Sequence, residues 1–359
     1  MEHRILRRAK HIAGIYHPPS DMEFRRVQVT GGNSFVVSLP KTWVKDIGLK
    51  PKDAVAVITQ PDSSLLIVPR RDIREAAKSE TIIEASANTG EDTLLRQFIS
   101  CYLAGYDIIR ISAGRADPTL RNAIKEGIRR KLVGVEIIEE SSAGILTQCL
   151  SGYVDFPLKK ALERMSIIAG GMLTDAVGVL HSKEVELGQE VVLRDDEVDR
   201  FYHFILRQLN IAVRDRSVIQ EIGLSSPRDC LGYRLAAKSA ERVADHATTI
   251  AMQAESLQAV PEGAFKKVLE MTEIAKKAFE SSISALLRLD AKQAEEVIGK
   301  VKDVVRLEDR LSGEVLAPKM TSAQVASVRL MLESIRRVAE YGADISEIAI
   351  DLTVKEPQA

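Results

Sequence analysis

From Phe156 to about Leu352, apolar residues return every three or four positions almost without a break. Leu158, Leu162, Met165, Ile168/Ala169, Met172, Ala176 and Leu180 form the first series. Val198, Phe201/Tyr202, Ile205 and Leu209 form the second, and Ala236, Ala240, Val243, Ala247, Ile250 and Ala254 the third. At 3.6 residues per turn each series lies along one side of a helix, and such a stripe must be covered by another helix. This stretch is therefore restricted to helical bundles. Turn signals fall near Gly188, at Gly223-Leu224-Ser225-Ser226-Pro227 and at Val260-Pro261-Glu262-Gly263. Past Pro261 the layout recurs, with helices expected over Phe265–Leu287, Ala291–Val315 (ended by Ala317-Pro318) and Val325 to about Asp351. The reading is an internal duplication of a three-helix unit, residues 157–256 and 262–352. Local similarity agrees: Gln189-Glu190-Val191-Val192 matches Glu295-Glu296-Val297-Ile298, and Arg242-Val243-Ala244-Asp245-His246 matches Arg337-Val338-Ala339-Glu340-Tyr341. Aromatic residues are only 4% of the chain, so these bundles pack through aliphatic side chains.

The first part of the chain has other periods. Residues 72–153 read strand, helix, strand, helix, strand, strand: Thr81–Ala85, Glu91–Ala104, Asp107–Ile111, Pro118–Leu132, Val135–Ile138 and Ile145–Leu150. That order predicts a small sheet with helices on one face. Residues 23–71 read as β with one short helix. Val27 and Val29 alternate with polar neighbours before a Gly31-Gly32-Asn33 turn, Phe35–Leu39 returns, and a helix through Trp43 and Val44 stops at Gly48. Strands over Ala54–Ile58 and Leu65–Val68 follow. Residues 1–22 form a basic arm.

The formal net charge of −1 hides an asymmetry, because residues 1–50 hold nine Lys and Arg against four Asp and Glu. A basic segment of this size suits a polyanion or a solvated surface. The three cysteines form no CxxC pair and no disulfide framework, which points to a reducing compartment. No apolar run of about 18 residues exists for a membrane span, and the N-terminus lacks the features of a secretory signal. The expected location is cytoplasmic.

Gly32-Asn33-Ser34-Phe35-Val36-Val37-Ser38-Leu39-Pro40-Lys41-Thr42-Trp43, followed by Ile47-Gly48-Leu49 and Asp53-Ala54-Val55, resembles the AbrB and MazE family of swapped-hairpin transcription factors. A hairpin of this size cannot bury a core alone. The resemblance implies that two chains exchange strands, making a homodimer that presents paired basic surfaces to DNA. Arg25, Arg26, Gln28, Asn33, Ser34 and Lys41 are then the expected DNA contacts, with Arg and Lys on phosphate or guanine and Gln or Asn on adenine edges. A second reading leaves this module to dimerisation or partner binding alone. A third, an antitoxin, sits poorly with the long ordered-looking chain that follows.

Two acidic pairs lie in the first helical repeat, Asp195/Asp199 and Glu241/Asp245. Each is spaced i, i+4 and so projects from one helix face. Like charges at that spacing repel, and a cation among them would offset the repulsion; carboxylate oxygens suit hard metals or iron. The alternative is a solvated acidic patch. Glu241 followed by Arg242-Val243-Ala244-Asp245-His246-Ala247-Thr248-Thr249-Ile250-Ala251 resembles a PhoU family string, as does Asp196-Glu197-Val198-Asp199. The resemblance covers residues 157–352. It implies regulation of phosphate uptake, a bound divalent or trivalent ion (Fe, Zn, Mn or Mg), and a phosphate transporter ATPase subunit as partner. The fused β-module is similar to the archaeal form of that family. The second repeat departs from the pattern, with Val301, Val305 and Arg336 where the first has Asp195, Asp199 and Glu241. At most one metal cluster is expected.

No Gly-x-Gly-x-x-Gly, Walker loop, Gly-x-Ser-x-Gly or His-Glu-x-x-His is present, and neither His203 nor His246 follows a Glu by three residues as di-iron bundles require. The expectation is a non-enzymatic α+β regulator: swapped-hairpin β-module, small α/β middle domain, and tandem three-helix PhoU-like bundles. Its output is DNA binding, or, in the alternative, docking on a transporter subunit without DNA.

Overall fold

The computed structural model describes residues 23–32, 34–59, 63–69, 78–86, 89–112, 118–150, 156–182, 185–254, 262–315 and 321–355. The basic arm 1–22, Asn33, and the turn residues 260–261 and 317–318 lie outside them. The chain divides into two units, Met1–Ala76 with Pro357–Ala359, and Ala77–Glu356.

In the first unit, β1 (Gln28–Thr30) pairs antiparallel with β2 (Ser34–Val36), Val29 opposite Phe35. Gly31 and Gly32 turn the chain at φ 59 and 97, angles that glycine adopts without the Cβ penalty. β2 ends three residues short of the expected Leu39. Helix α1 (Lys41–Asp46) starts from the Pro40 carbonyl, which accepts from the Val44 N–H at 3.0 Å. β3 (Val55–Thr59) and β4 (Leu65–Pro69) make a second antiparallel hairpin. No described residue between 23 and 69 is buried. Phe24 is 90% and Phe35 77% exposed, and Val27, Val29, Val57 and Leu65 are exposed as well. Among the described residues this module has no core of its own.

The second unit begins with the small α/β module. β5 (Glu80–Glu84), α2 (Glu91–Ala104), β6 (Ile108–Ser112), α3 (Pro118–Lys131), β7 (Val135–Ser141) and β8 (Gly144–Cys149) build one sheet of order β5-β6-β8-β7. β5 and β6 are parallel through the α2 crossover, and the other pairs are antiparallel. Alternate strand residues Ile83, Ile109, Ile111 and Ile145 are buried in one core with Leu94 and Phe98 of α2 and Ile124 and Ile128 of α3. The period of two in the strands and of 3.6 in the helices thus meet on one sheet face, as the sequence predicts.

Six long helices follow: α4 (Leu158–Ser182), α5 (Val185–Arg214), α7 (Pro227–Ala254), α8 (Glu262–Arg288), α9 (Ala291–Val315) and α10 (Ser322–Thr353). The short α6 (Arg216–Glu221) joins α5 to α7. Within the first repeat α4, α5 and α7 pack on one another; within the second α8, α9 and α10 do. The repeats meet through α4 on α8 and α7 on α10, and both share one aliphatic core. Thr321 and Gln324 close a reciprocal capping box at the start of α10. The break expected near Gly188 falls a few residues before it, α4 ending at Ser182 and α5 starting at Val185, and Gly188 is the fourth residue of α5. It is buried, and a Cβ there would be 3.9 Å from the Ala251 carbonyl oxygen of α7. The glycine thus sits where two helices pack. α2 and α3 of the α/β module pack on α5. Among the described residues no helix is long and apolar enough to cross a membrane.

Candidate functional site: the acidic face of the first helical repeat

Helix α7 presents alanine on its buried side: Ala236, Ala237, Ala240, Ala244 and Ala247 are all fully buried. Small side chains let helix axes approach closely. This brings the carboxylates of α5 (Asp195, Asp196, Asp199) and α7 (Glu241, Asp245) into one electrostatic neighbourhood. Asp195 feels it most. Burial, and then the charges of Asp199, Asp245, Glu241 and Asp196, push its carboxyl up to about 7. Its Oδ1 is buried without a hydrogen-bond partner. Glu241 is 8% exposed, and burial raises its carboxyl despite the neighbouring Lys238. Asp245 lies at the open rim; desolvation raises it too, against the pull of Lys238.

Two lysines answer this charge. Lys238, one helical turn before Glu241, places Nζ 2.5 Å from both Glu241 oxygens and 5.3 Å from the centre of the Tyr202 ring. Lys131, the last residue of α3, reaches across from the α/β module. Its Nζ is 2.9 Å from Asp199 Oδ2 and 3.4 Å from Asp196 Oδ1. Arg130 adds a contact to Asp196 Oδ2 at 3.4 Å. His203 is engaged with the same helix end: its Nδ1 donates to the Lys131 carbonyl at 3.0 Å. Burial lowers its pKa, which favours the neutral ring. His203 therefore caps α3, and its Nδ1 is not free to ligate. As placed, and among the described residues, no three His, Cys, Asp or Glu side chains are arranged to hold a metal ion.

The sequence located the four carboxylates Asp195, Asp199, Glu241 and Asp245, because each pair repeats at a helical turn. Lys238 had the same kind of local signal, an i, i+3 spacing to Glu241. Lys131 had none, being 68 residues from Asp199.

In the second repeat, Arg336 occupies the position of Glu241. Its Nε is 2.7 Å from Glu308 Oε2, and it also pairs with Glu340. Arg337 pairs with Glu340 at 2.6 Å and donates to the Tyr341 hydroxyl at 3.2 Å. A guanidinium built into α10 fills the charge centre of this repeat.

The candidate nucleic-acid contacts are in the first unit. Gln28 lies on β1, Ser34 on β2 and Lys41 at the first position of α1, and all are exposed. Register places Gln28 opposite Val36 and Thr30 opposite Ser34, so Gln28 and Ser34 share a hairpin face while Val29 and Phe35 take the other. Arg25 and Arg26 precede β1, also exposed, and the Arg25 guanidinium pairs with Glu23.

Comparison with known proteins fits this division of the chain. Residues 162–254 and 268–349 match the family model of the PhoU domain. Residues 28–75 match that of the bacterial antitoxin MazE, an antidote-toxin recognition family. Two curated relatives, phosphate-specific transport system accessory protein PhoU homologs from two strains of Caulobacter vibrioides, are 31% identical over 97 residues. The aligned part is 26% of this chain and 38% of each relative's length. Among solved structures, PhoU from Pseudomonas aeruginosa superposes with a TM-score of 0.49 at 22% identity, covering 55% of this chain and 95% of that one. The phosphate transport system regulatory protein PhoU from Streptococcus pneumoniae gives 0.48 at 17%, covering 55% and 94%. One match to the PhoU domain model thus falls in each three-helix repeat, and the match to the MazE model falls in the β-module at residues 28–75.

Proposed function

We propose that this chain is a non-enzymatic regulator of phosphate uptake that works as a DNA-binding homodimer with a metal-responsive helical domain. The observation that carries the reading is the coreless, apolar-surfaced β-module joined to tandem PhoU domains. A unit with no buried residue among those described, and so many exposed large hydrophobics, needs a second copy to close it. Pairing two copies doubles the positive face that includes Arg25, Arg26 and Lys41, with Gln28 and Ser34 in reach of base edges or phosphate. The phosphate link follows from the PhoU domains and from the named role of the Caulobacter relatives.

In this proposal a hard cation (Fe, Zn, Mn or Mg) sits among Asp195, Asp199, Glu241 and Asp245. Supporting it are the oxygen-only donor set, the unpartnered buried Oδ1 of Asp195, and the burial and then mutual repulsion that raise Asp195. Lys131 and Lys238 would have to yield their carboxylates. The ion would supply charge balance and a bridge between α5 and α7, not reaction chemistry.

A fluorescence-anisotropy titration of the full chain on DNA from upstream of phosphate-transporter genes tests the output. Sequence-preferring binding that weakens steeply with salt is expected, with most of it lost in the Arg25→Ala, Arg26→Ala double variant. Binding that is absent, or unchanged in that variant, rejects the DNA half. One observation favours a second reading: Arg25 is already paired with Glu23. In that reading the β-module only dimerises and the bundle docks on a transporter ATPase subunit.

A further inference from the structure

We propose that the open edge of β5, with the groove between it and α2, is a docking site for an extended segment of a partner protein, which joins the sheet of the α/β module as a further strand. This gives residues 78–150 a role of their own and rests on neither the metal reading nor the DNA reading.

β5 ends the sheet on one side, with β6 as its only neighbour among the described residues. The Ser79 carbonyl accepts from the Ile108 N–H at 3.0 Å, and the Ala85 N–H donates to the Ser112 carbonyl at 2.8 Å. In a parallel ladder alternate residues bond to a given neighbour, so Thr81 and Ile83 also direct their backbone groups to β6. Glu80, Ile82 and Glu84 direct theirs to the open edge. All three are exposed, Ile82 by 54%. The opposite edge strand, β7, is blunted by a register shift between Ile137 and Glu139 and by the exposed Glu136, Glu139 and Glu140. β5 keeps an unbroken register from Glu80 to Glu84. A regular strand with outward donors and acceptors is a template for another strand.

The side chains around this edge define what fits it. Ile83 enters the core with α2, so Glu80, Ile82 and Glu84 lie on the sheet face away from the helices. On the helix side, the edge borders a groove of about 540 Å³ lined by Thr93, Arg96, Gln97 and Ser100 of α2. An added strand places alternate side chains in this groove and the others beside Glu80, Ile82 and Glu84. Arg96 donates to the Thr93 hydroxyl at 3.2 Å and has no carboxylate partner among the described residues. Glu84 has no cationic partner among them either, whereas Glu80 reaches Arg110 at 3.7 Å. The groove therefore suits acidic side chains, and the open face suits basic ones on either side of an apolar residue next to Ile82. A second copy of β5 does not meet this demand. Antiparallel pairing of two such strands about Ile82 sets Glu80 against Glu84 at both ends, and like charges directly opposed are destabilising. The occupant is a partner strand in which basic or apolar residues alternate with acidic ones.

The test uses the full chain and a fluorescein-labelled peptide, Thr-Lys-Glu-Val-Glu-Lys-Thr. In a strand its lysines and valine share one face and its glutamates the other. A control peptide exchanges Lys and Glu. Fluorescence anisotropy is expected to show the first peptide binding about tenfold tighter than the control, the size of a few exposed charge contacts. Amide exchange at Glu80, Ile82 and Glu84 is expected to slow on binding, while Thr81 and Ile83, already bonded to β6, change little. Ile82→Pro deletes an outward N–H and no β6 bond, and should weaken the peptide at least about tenfold. Arg96→Glu, on the exposed side of α2, should weaken it as well and serves if the proline disturbs folding. Equal affinity for the two peptides, or affinity unchanged in both variants, overturns the proposal. Protection that falls outside residues 80–84, or no binding of either peptide, overturns it too. Protection at 80–84 that rises with protein concentration in the absence of peptide gives the edge to a second copy and overturns the partner strand.

Discussion

Replacing Arg207 with Met measures how firmly the α/β module is held on the first repeat. Arg207 is 7% exposed, and its guanidinium lies 4.9 Å from the centre of the fully buried Tyr102 ring. It donates to the Tyr102 carbonyl at 2.5 Å, the Gly105 carbonyl at 3.4 Å and Asp107 Oδ1 at 3.2 Å. Removing one partner of a buried ion pair commonly costs about 3–5 kcal/mol, because a bare charge is left behind. Here none is. The Tyr102 carbonyl still accepts from the Gly105 N–H, Asp107 from the Ser79 N–H, and the single Ser79 hydroxyl proton is within reach of either Asp107 or the Gly105 carbonyl. What is lost is one short charge-assisted bond, about 1.5–3 kcal/mol, and a shielded cation–π contact of about 1 kcal/mol. The relief of burying a guanidinium, and the packing of the Met side chain, return part of that. The expected net loss is about 2 kcal/mol in urea denaturation followed by circular dichroism, with faster amide exchange at 102–107. Arg214→Met, which removes one exposed 3.3 Å bond, should change stability by less than about 0.5 kcal/mol. An Arg207→Met protein as stable as wild type, with unchanged exchange at those residues, would mean that this guanidinium does not hold the module.

Two other perturbations follow from single positions. Asp195 is raised to about 7 in the fold from 3.8, so between those values the folded state binds the extra proton. Stability should therefore fall as pH rises from about 4 to 7 and level off above. Asp195→Asn should flatten that slope and raise the urea midpoint at pH 8; a wild-type midpoint that climbs from pH 5 to 8, with no gain in the variant, contradicts the origin assigned to the shift. At Gly342, where α10 meets α8, a Cβ would lie 3.1 Å from the Ala278 carbonyl carbon and the Phe279 nitrogen. These are backbone atoms that cannot step aside, so Gly342→Ala should cost about 1–3 kcal/mol although alanine is the better helix former. Unchanged or higher thermal stability would mean that these helices part easily.

The bundle was legible because its information is local. Each of α4 to α10, apart from the short α6, repeats its apolar residues with the helical period, and the α/β module changes period where its elements change. Element ends are less sharply written: β2 stops at Val36 rather than Leu39, and the break expected near Gly188 falls between Ser182 and Val185. The site divides the same way. Asp195/Asp199 and Glu241/Asp245 are visible as turn-spaced pairs, and Lys238 as a third member of the same pattern. The charges that balance Asp196 and Asp199 come from Arg130 and Lys131, on a helix that reaches α5 only through tertiary packing. No spacing in one chain segment announces that contact. Arg207 carries no local signal for the same reason: its acceptors are backbone carbonyls about a hundred residues away.

The two repeats handle the same electrostatic problem by opposite means. Where α7 has Lys238, Glu241 and Asp245, α10 has Glu333, Arg336 and Glu340, so the first two positions are inverted in sign. Where α5 has Asp195 and Asp199, α9 has Val301, which is buried, and Val305. In the second repeat every balancing charge around Arg336 comes from within the repeat, Glu308 on α9 and Glu340 on α10. Such a cluster is fixed by its own fold, and no outside ion is needed to balance it. In the first repeat, Lys238 balances Glu241 from within, but Asp196 and Asp199 are balanced by a different module. Duplication of the helices thus yields one copy whose charges are balanced within its own fold and one balanced partly by the α/β module.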